Sequence, residues 1–574
     1  MRMLRVLSIV SITILTLQSP AHGQARPGRV FVLDQWAPSV TALDLSGTVV
    51  RTAPLQGSPS ILLRTPDSKL LVVLDRGTGK DAGDAGFQAK TKSSATILDA
   101  GTLATRARVE LGAGLENSTM LSAAGDRLAV ICPGYVSKKP EENQPRELVT
   151  VDLVGGKVSG RVPLARPASA FFSTPDGATA VVLSHRDSPK QAQAELQLID
   201  LKTATSLATL TFEGDPRNPV LAPDGKFVYL LDKGKPSGNP EKNVNGRVHV
   251  VSLASRKVET VQEVGSDPRG FVVDEAGGQL LLLSDRPPVK GEKEHAGELR
   301  AFRGAGVIGP METLGYPALV RATADGKRLF VVSSSGVITF GTHDLAKLSE
   351  WRDKNLATTT FDITPDGRRA FSVWQQNLYT YDNEKGGLID KHVTGSSMSR
   401  LAAALDASAK TESSKAEGIR QARAKGKSHY NYTEYTVRDA DQSLAIRPDS
   451  KVVYVINRQT SDVTVADAET GRIIEKVGAD GFAVDFMTGS GVALVTDTTA
   501  VHAIDLETHK IVQDWSSKDY IFGRPEISTD GKAAVINGNS AVLLINGGSG
   551  KPVGKLAPFK RVADLEVDWG RPGR

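Results

Sequence analysis

One cysteine, Cys132, stands among 574 residues, so no disulfide can form within the chain and its stability must come from packing. It lies in the apolar run Arg-Leu-Ala-Val-Ile-Cys at 127 to 132, the setting of a buried structural thiol rather than a reactive one. Past the N-terminus no segment is long and apolar enough to cross a bilayer. A large excess of charge of one sign is lacking as well. The formal net charge is +5, and Arg2 and Arg5 are the only charged residues of the first 23, so a chain cut there carries about +3. That balance does not argue for nucleic acid or an anionic membrane as partner. Local catalytic signatures are missing too. There is no Gly-x-Ser-x-Gly elbow and no phosphate-cradling glycine loop, and no two histidines stand at helical ligand spacing.

What is present is ordinary globular material, 40% hydrophobic and 24% charged, which excludes disorder as the default. At this length a single compact core no longer grows, so several domains or an extensible repeat are expected. The chain opens Met-Arg-Met-Leu-Arg, runs apolar from Val6 to Leu17, and continues Gln-Ser-Pro-Ala-His-Gly. A basic start, an apolar stretch and small residues at Ala21 and Gly23 predict a signal peptide over 1–23, cut before Gln24, and a periplasmic or extracellular protein. The apolar run is short for a membrane anchor, and no cysteine near the cut invites a lipid.

A turn-forming tetrad recurs along the chain. Thr-Pro-Asp-Gly stands at 174 and 364 and Ala-Pro-Asp-Gly at 222, with looser copies beginning at 65, 123, 275, 323, 447, 488 and 528. Proline presets the first central turn position, aspartate bonds the backbone two residues on, and glycine accepts positive φ, so each tetrad favours a tight hairpin. Short β-rich runs follow, such as Leu-Leu-Val-Val-Leu, Phe-Val-Tyr-Leu-Leu and Val-Val-Tyr-Val-Ile. They read as buried strands because they are short, β-branched and bounded by turns. A third strand, a turn such as Ala-Glu-Thr-Gly and a fourth strand complete a unit of about 40 to 50 residues, the signature of a propeller blade.

The clearest unit, 452 to 478, carries Tyr454-Val455-Ile456-Asn457 and resembles the repeat of the YVTN β-propeller family, with Ile in place of Thr. The resemblance implies a propeller fold and says almost nothing of activity, since members range from surface-layer proteins to subunits of redox enzymes. The fold expected is thus all-β, a β-propeller of four-stranded antiparallel blades. Arg-Val-Phe-Val-Leu at 29 to 33 lacks a preceding strand, and Val-Ala-Asp-Leu-Glu-Val-Asp at 562 to 568 is an orphan first strand, so the two are expected to share one blade and close a ring. With that blade the units number about eleven, more than the usual four to eight of one propeller. Two connected rings are therefore expected, the second inserted into the first, with one unusually large ring as the alternative.

Decoration is uneven. Within the repeats of 24–395, five consecutive units carry long insertions between strands two and three, at 77–94, 133–146, 184–194, 232–246 and 285–297, whereas the three C-terminal units of 441–574 have short connections there. That face is the expected recognition surface, though neutral loop growth would leave the same pattern. Between the two blocks of repeats, 396–440 reads as a helical, basic insertion ending in Tyr430, Tyr432 and Tyr435, where basic and aromatic residues could engage an anionic polymer or simply connect blades. Arg166, Arg217, Arg269 and Arg524 each adjoin a proline leading into a first strand. Around a channel mouth their guanidinium groups could hold an anionic ligand, or pair with Asp215 and Asp267 and merely shape a turn.

The function expected is binding or scaffolding: recognition of a cell-envelope polymer, peptide or partner protein, with no cofactor required and no nucleic acid. The alternative is a propeller enzyme, either a lactonase-like hydrolase holding a divalent metal such as calcium or a quinoprotein-dehydrogenase-like subunit. Its carboxylates would come from first strands at Asp362, Asp485, Glu526 and Glu566.

Overall fold

The computed structural model describes residues 28–569 apart from 78, 82–86, 90, 116–118, 123, 135–144, 186–192, 235–243, 275–276, 287–295, 354–355, 375–376, 395–441, 459–460, 498, 517–523, 539 and 548–551. The signal peptide expected over 1–23, the insertion expected over 396–440 with Tyr430 and Tyr432, and most of the five long loops lie outside the described residues.

Each recurring tetrad folds for the same local reason. At 174 the Thr174 hydroxyl donates to the Asp176 carboxylate at 2.5 Å, that carboxylate accepts the Ala178 N–H at 3.0 Å, and Thr174 Oγ1 accepts the Thr179 N–H at 3.1 Å. Gly177 takes φ +66°, a conformation open to glycine. The same bonds recur around Asp67, Asp325, Asp366 and Asp530, with serine replacing threonine at 528. A second recurring device closes strand three. Asp99, Asp467 and Asp505 each accept the N–H and the hydroxyl of the threonine three residues on.

These turns carry a pH signature. Bonds from the Thr174, Thr323 and Ser528 hydroxyls hold Asp176, Asp325 and Asp530 below the usual carboxylate range, and the Arg106 guanidinium helps bring Asp99 to about 2. Their folded pKa values lie below the unfolded ones, so their contribution is complete above about pH 4 and is lost as pH falls toward 2. The melting temperature is expected to drop steeply across that window in a calorimetric pH series. A flat profile there would contradict the turn account.

Eleven four-stranded antiparallel sheets result among the described residues. Blade 1 takes its first strand from the C-terminus, Val562–Asp568, and the other three from Arg29–Asp34, Ser39–Asp44 and Val49–Pro54. Blades 2 to 11 begin in turn with Pro59–Arg64, Thr119–Leu121, Ala168–Ser173, Arg217–Leu221, Ser266–Asp274, Pro317–Ala322, Asp362–Ile363, Gln442–Ile446, Ala483–Met487 and Glu526–Ile527. Every expected tetrad falls between the first and second strands of one of these ten blades. A small extra hairpin, Gly79–Asp81 against Phe87–Ala89, belongs to the first long insertion. Second strands such as Leu70–Asp75 are buried throughout, while fourth strands such as Val49–Pro54 are mostly exposed. That gradient places first strands at the channel and fourth strands at the rim.

The predicted closure is observed. Arg29–Asp34 pairs antiparallel with Val562–Asp568, Arg29 opposite Asp568 and Val32 opposite Leu565. The expectation of two rings is corrected by how the blades pack. Phe31 and Leu33 of blade 1 meet Leu62 and Leu71 of blade 2, Tyr229 and Val250 of blade 5 meet Leu282 and Phe302 of blade 6, and Val373 of blade 8 meets Val453 and Val455 of blade 9. Val535 and Leu544 of blade 11 return to Val30 and Val567 of blade 1. The remaining seams likewise join each blade to its successor, from 2–3 through 10–11. A second ring inserted into the first would have to interrupt this chain of seams, and none is interrupted. Helix is limited among the described residues to the single 3-10 turns Thr358–Thr360 and Thr488–Ser490.

Candidate functional site

At one end of the ring, strand two turns into strand three and each fourth strand crosses to the next blade. The crossings are held by polar residues that end second strands. Asp34 accepts the N–H groups of Trp36, Ala37, Lys560 and Arg561 at 2.8 to 3.1 Å and is buried. Asp75 accepts from Ser58 at 3.1 Å, and a Cβ added at Gly57, whose φ is +86°, would stand 1.7 Å from its Oδ2. Asn457, the last residue of the Tyr-Val-Ile-Asn run, donates to Asp462 at 2.7 Å and exchanges bonds with Thr394, the final described residue before 395–441. This clamp was missed by sequence reasoning, although its signal was present: Asp34, Asp75, Asp232, Ser333, Asn457, Thr496 and Asn537 all stand at the ends of second strands.

The proline-flanked arginines fall on this same end, each against an internal partner. Arg166 donates to Gln193. Asp215 bridges two blades, 2.8 Å from His185 of blade 4 and 2.7 Å from Arg217 of blade 5. Arg269 pairs with Asp285 at 3.4 Å, and Arg524 with Asp485 at 3.3 Å. Their side chains still reach solvent, Arg217 and Arg524 most of all. Three of the four thus lead into the consecutive blades 4, 5 and 6, and Arg524 leads into blade 11. A bulge distorts the first strand near this end in blades 1, 2, 4, 5, 6 and 7, whereas the first strands of blades 9 and 10 pair without one. Bulges re-aim side chains, and here they fall mostly on the blades bearing long loops.

The exposed large aromatic side chains among the described residues are Trp36, Tyr316 and Trp374, at 69%, 50% and 48% exposure. All three stand at this end: Trp36 between strands two and three of blade 1, Trp374 closing strand two of blade 8, and Tyr316 in the crossing from blade 6 to blade 7. The Arg561 guanidinium lies over the Trp36 ring at 5.9 Å. Tyr316 adopts φ +54°, a strained conformation for a bulky residue.

The four candidate carboxylates do lie on first strands, but on blades 8, 10, 11 and 1. Asp362 pairs with Arg321 at 3.3 Å. Burial raises the pKa of Asp485 and of Glu526, with Arg524 and Arg64 respectively opposing it. Among the described residues no group of three or more His, Cys, Asp or Glu side chains is disposed to hold a metal. Cys132 is fully buried near Ser93, and burial pushes its thiol up to about 11. It is expected to stay unlabelled by iodoacetamide in the native protein at pH 8 and to react once the chain is denatured. Rapid native labelling would contradict its placement.

No family model matches the chain. It is similar to a seven-bladed β-propeller protein of Mycobacterium tuberculosis, 25% identical over 340 residues that span 58% of this chain and 72% of that protein. The chain is a β-propeller. Among solved structures, a eukaryotic initiation factor is 12% identical with a TM-score of 0.39 and coverage of 79% of this chain and 96% of that one. The dihydro-heme d1 dehydrogenase NirN is 14% identical with a TM-score of 0.33, covering 73% and 72%. Neither likeness carries a ligand or an activity over to this propeller.

Proposed function

We propose that this propeller is an exported binding protein of the YVTN-repeat kind that recognises a cell-envelope polymer, peptide or partner protein through the face where strands two and three connect. The observation that carries the reading is that the exposed aromatics, Trp36, Tyr316 and Trp374, share that face with the solvent-reaching arginines Arg217, Arg269 and Arg524. Flat rings and planar guanidinium groups on a rigid scaffold give contact area and directional donors at small entropic cost. Their spread around the ring suits an extended ligand better than a compact one.

Capture from solubilised envelope material tests the reading. The triple variant Trp36→Ala/Tyr316→Ala/Trp374→Ala should lose capture by about tenfold or more, since such anchors dominate recognition surfaces. Its melting should barely change, because these side chains cover little core. Deleting residues 234–245 should weaken capture in the same way. Undiminished capture in both variants would refute the assignment of the face.

A further inference from the structure

We infer that a small hollow between blades 9 and 10, roofed by Arg524, is a binding site for an apolar group carrying a carboxylate. The hollow encloses about 190 Å³ and opens beside the first strands. Leu444, Ala445 and Ile456 of blade 9 form one wall, and Phe482 and Val484 of blade 10 form the other. Arg524 comes from the lead-in to blade 11, so the site is assembled from three consecutive blades and exists only when they are seated against each other. It shares only Arg524 with the wide face proposed above, and neither Trp36, Tyr316 nor Trp374 lines it.

The chemistry follows from how Arg524 is held. Its Nε lies 3.3 Å from Asp485 Oδ1, and its Nη2 donates to the Val484 carbonyl at 3.4 Å. Those two anchors fix the plane of the guanidinium, whose five donors exceed what they use. The side chain is 62% exposed, so donors remain at the opening. A carboxylate is the acceptor that matches this planar fork. Beneath it the wall residues are aliphatic or aromatic apart from Ser443, and none is charged, which favours an apolar body about the size of one side chain. Two sources offer that chemistry: a free monocarboxylic acid, or the C-terminal residue of a polypeptide.

Calorimetric titration of the full chain separates them. The probes are 3-phenylpropanoate, the peptide Ala-Ala-Phe with a free carboxylate, and the same peptide as its amide. Binding of the free-acid peptide but not of its amide assigns the site to polypeptide ends. Binding of 3-phenylpropanoate alone assigns it to small acids. Arg524→Gln should weaken whichever probe binds by about tenfold, the scale of a charge-assisted hydrogen bond. Ala445→Leu, which fills the hollow and keeps the Arg524–Asp485 pair, should do the same. The inference is overturned if no probe binds, if amide and acid bind alike, or if Ala445→Leu leaves binding unchanged.

Discussion

A chain ending at Arg561 is expected to yield no soluble, cooperatively melting protein. It would lack Val562–Asp568, the first strand of blade 1, where Val562 and Val567 are buried and Leu565 packs at the seam with blade 11. Burying three such side chains contributes roughly 5–8 kcal/mol. That is comparable to the ~5–15 kcal/mol net stability of an ordinary domain. The truncation also frees the edge of Arg29–Asp34, and an unpaired apolar strand is a template for aggregation. The complementary experiment adds a bond where the truncation removes a strand. Val32 and Leu565 face each other across the ladder, so Val32→Cys/Leu565→Cys in a Cys132→Ala background should oxidise to an intramolecular disulfide. A well-folded truncated chain, or a pair that cannot be crosslinked, would contradict closure by the two ends.

Asp34→Ala is expected to destabilise the protein by about 3 kcal/mol, among the larger effects of a single substitution. The carboxylate holds four backbone N–H groups, two from its own turn and two from the segment that delivers the closing strand. Each buried donor left without an acceptor costs about 1–3 kcal/mol, and relaxation toward water recovers part of the sum. Asp34→Asn keeps one acceptor oxygen and should cost about half as much. Denaturant unfolding measures both, and equal stability of all three proteins would remove Asp34 from the closure.

The features legible in the sequence were those written in short windows. Thr174-Pro175-Asp176-Gly177 and its relatives specify their own hairpins, and the orphan strands at 29 and 562 announced each other by what each lacked. The number of rings was misjudged because it depends on which blade faces touch, as Val373 touches Val455 across the whole of 395–441, and no local pattern encodes that. Pairing was partly readable. Arg217 does meet Asp215, two residues away, but Asp215 also reaches back thirty residues to His185 in the preceding blade. Arg269 pairs with Asp285, which arrives from the next strand of its own blade. The strand-two clamp was visible as a recurring polar residue, yet its meaning appears only when the crossing chain is laid against it, as Lys560 and Arg561 are against Asp34. The aromatics escaped notice because Trp36, Tyr316 and Trp374 are isolated in sequence and share only a face.

The central claim is one closed ring of eleven blades. Single-particle images of the purified chain viewed down the axis count blades directly. Eleven spokes around one open channel are predicted, whereas two smaller rings, or a ring with a gap between the first and last blades, would contradict the account.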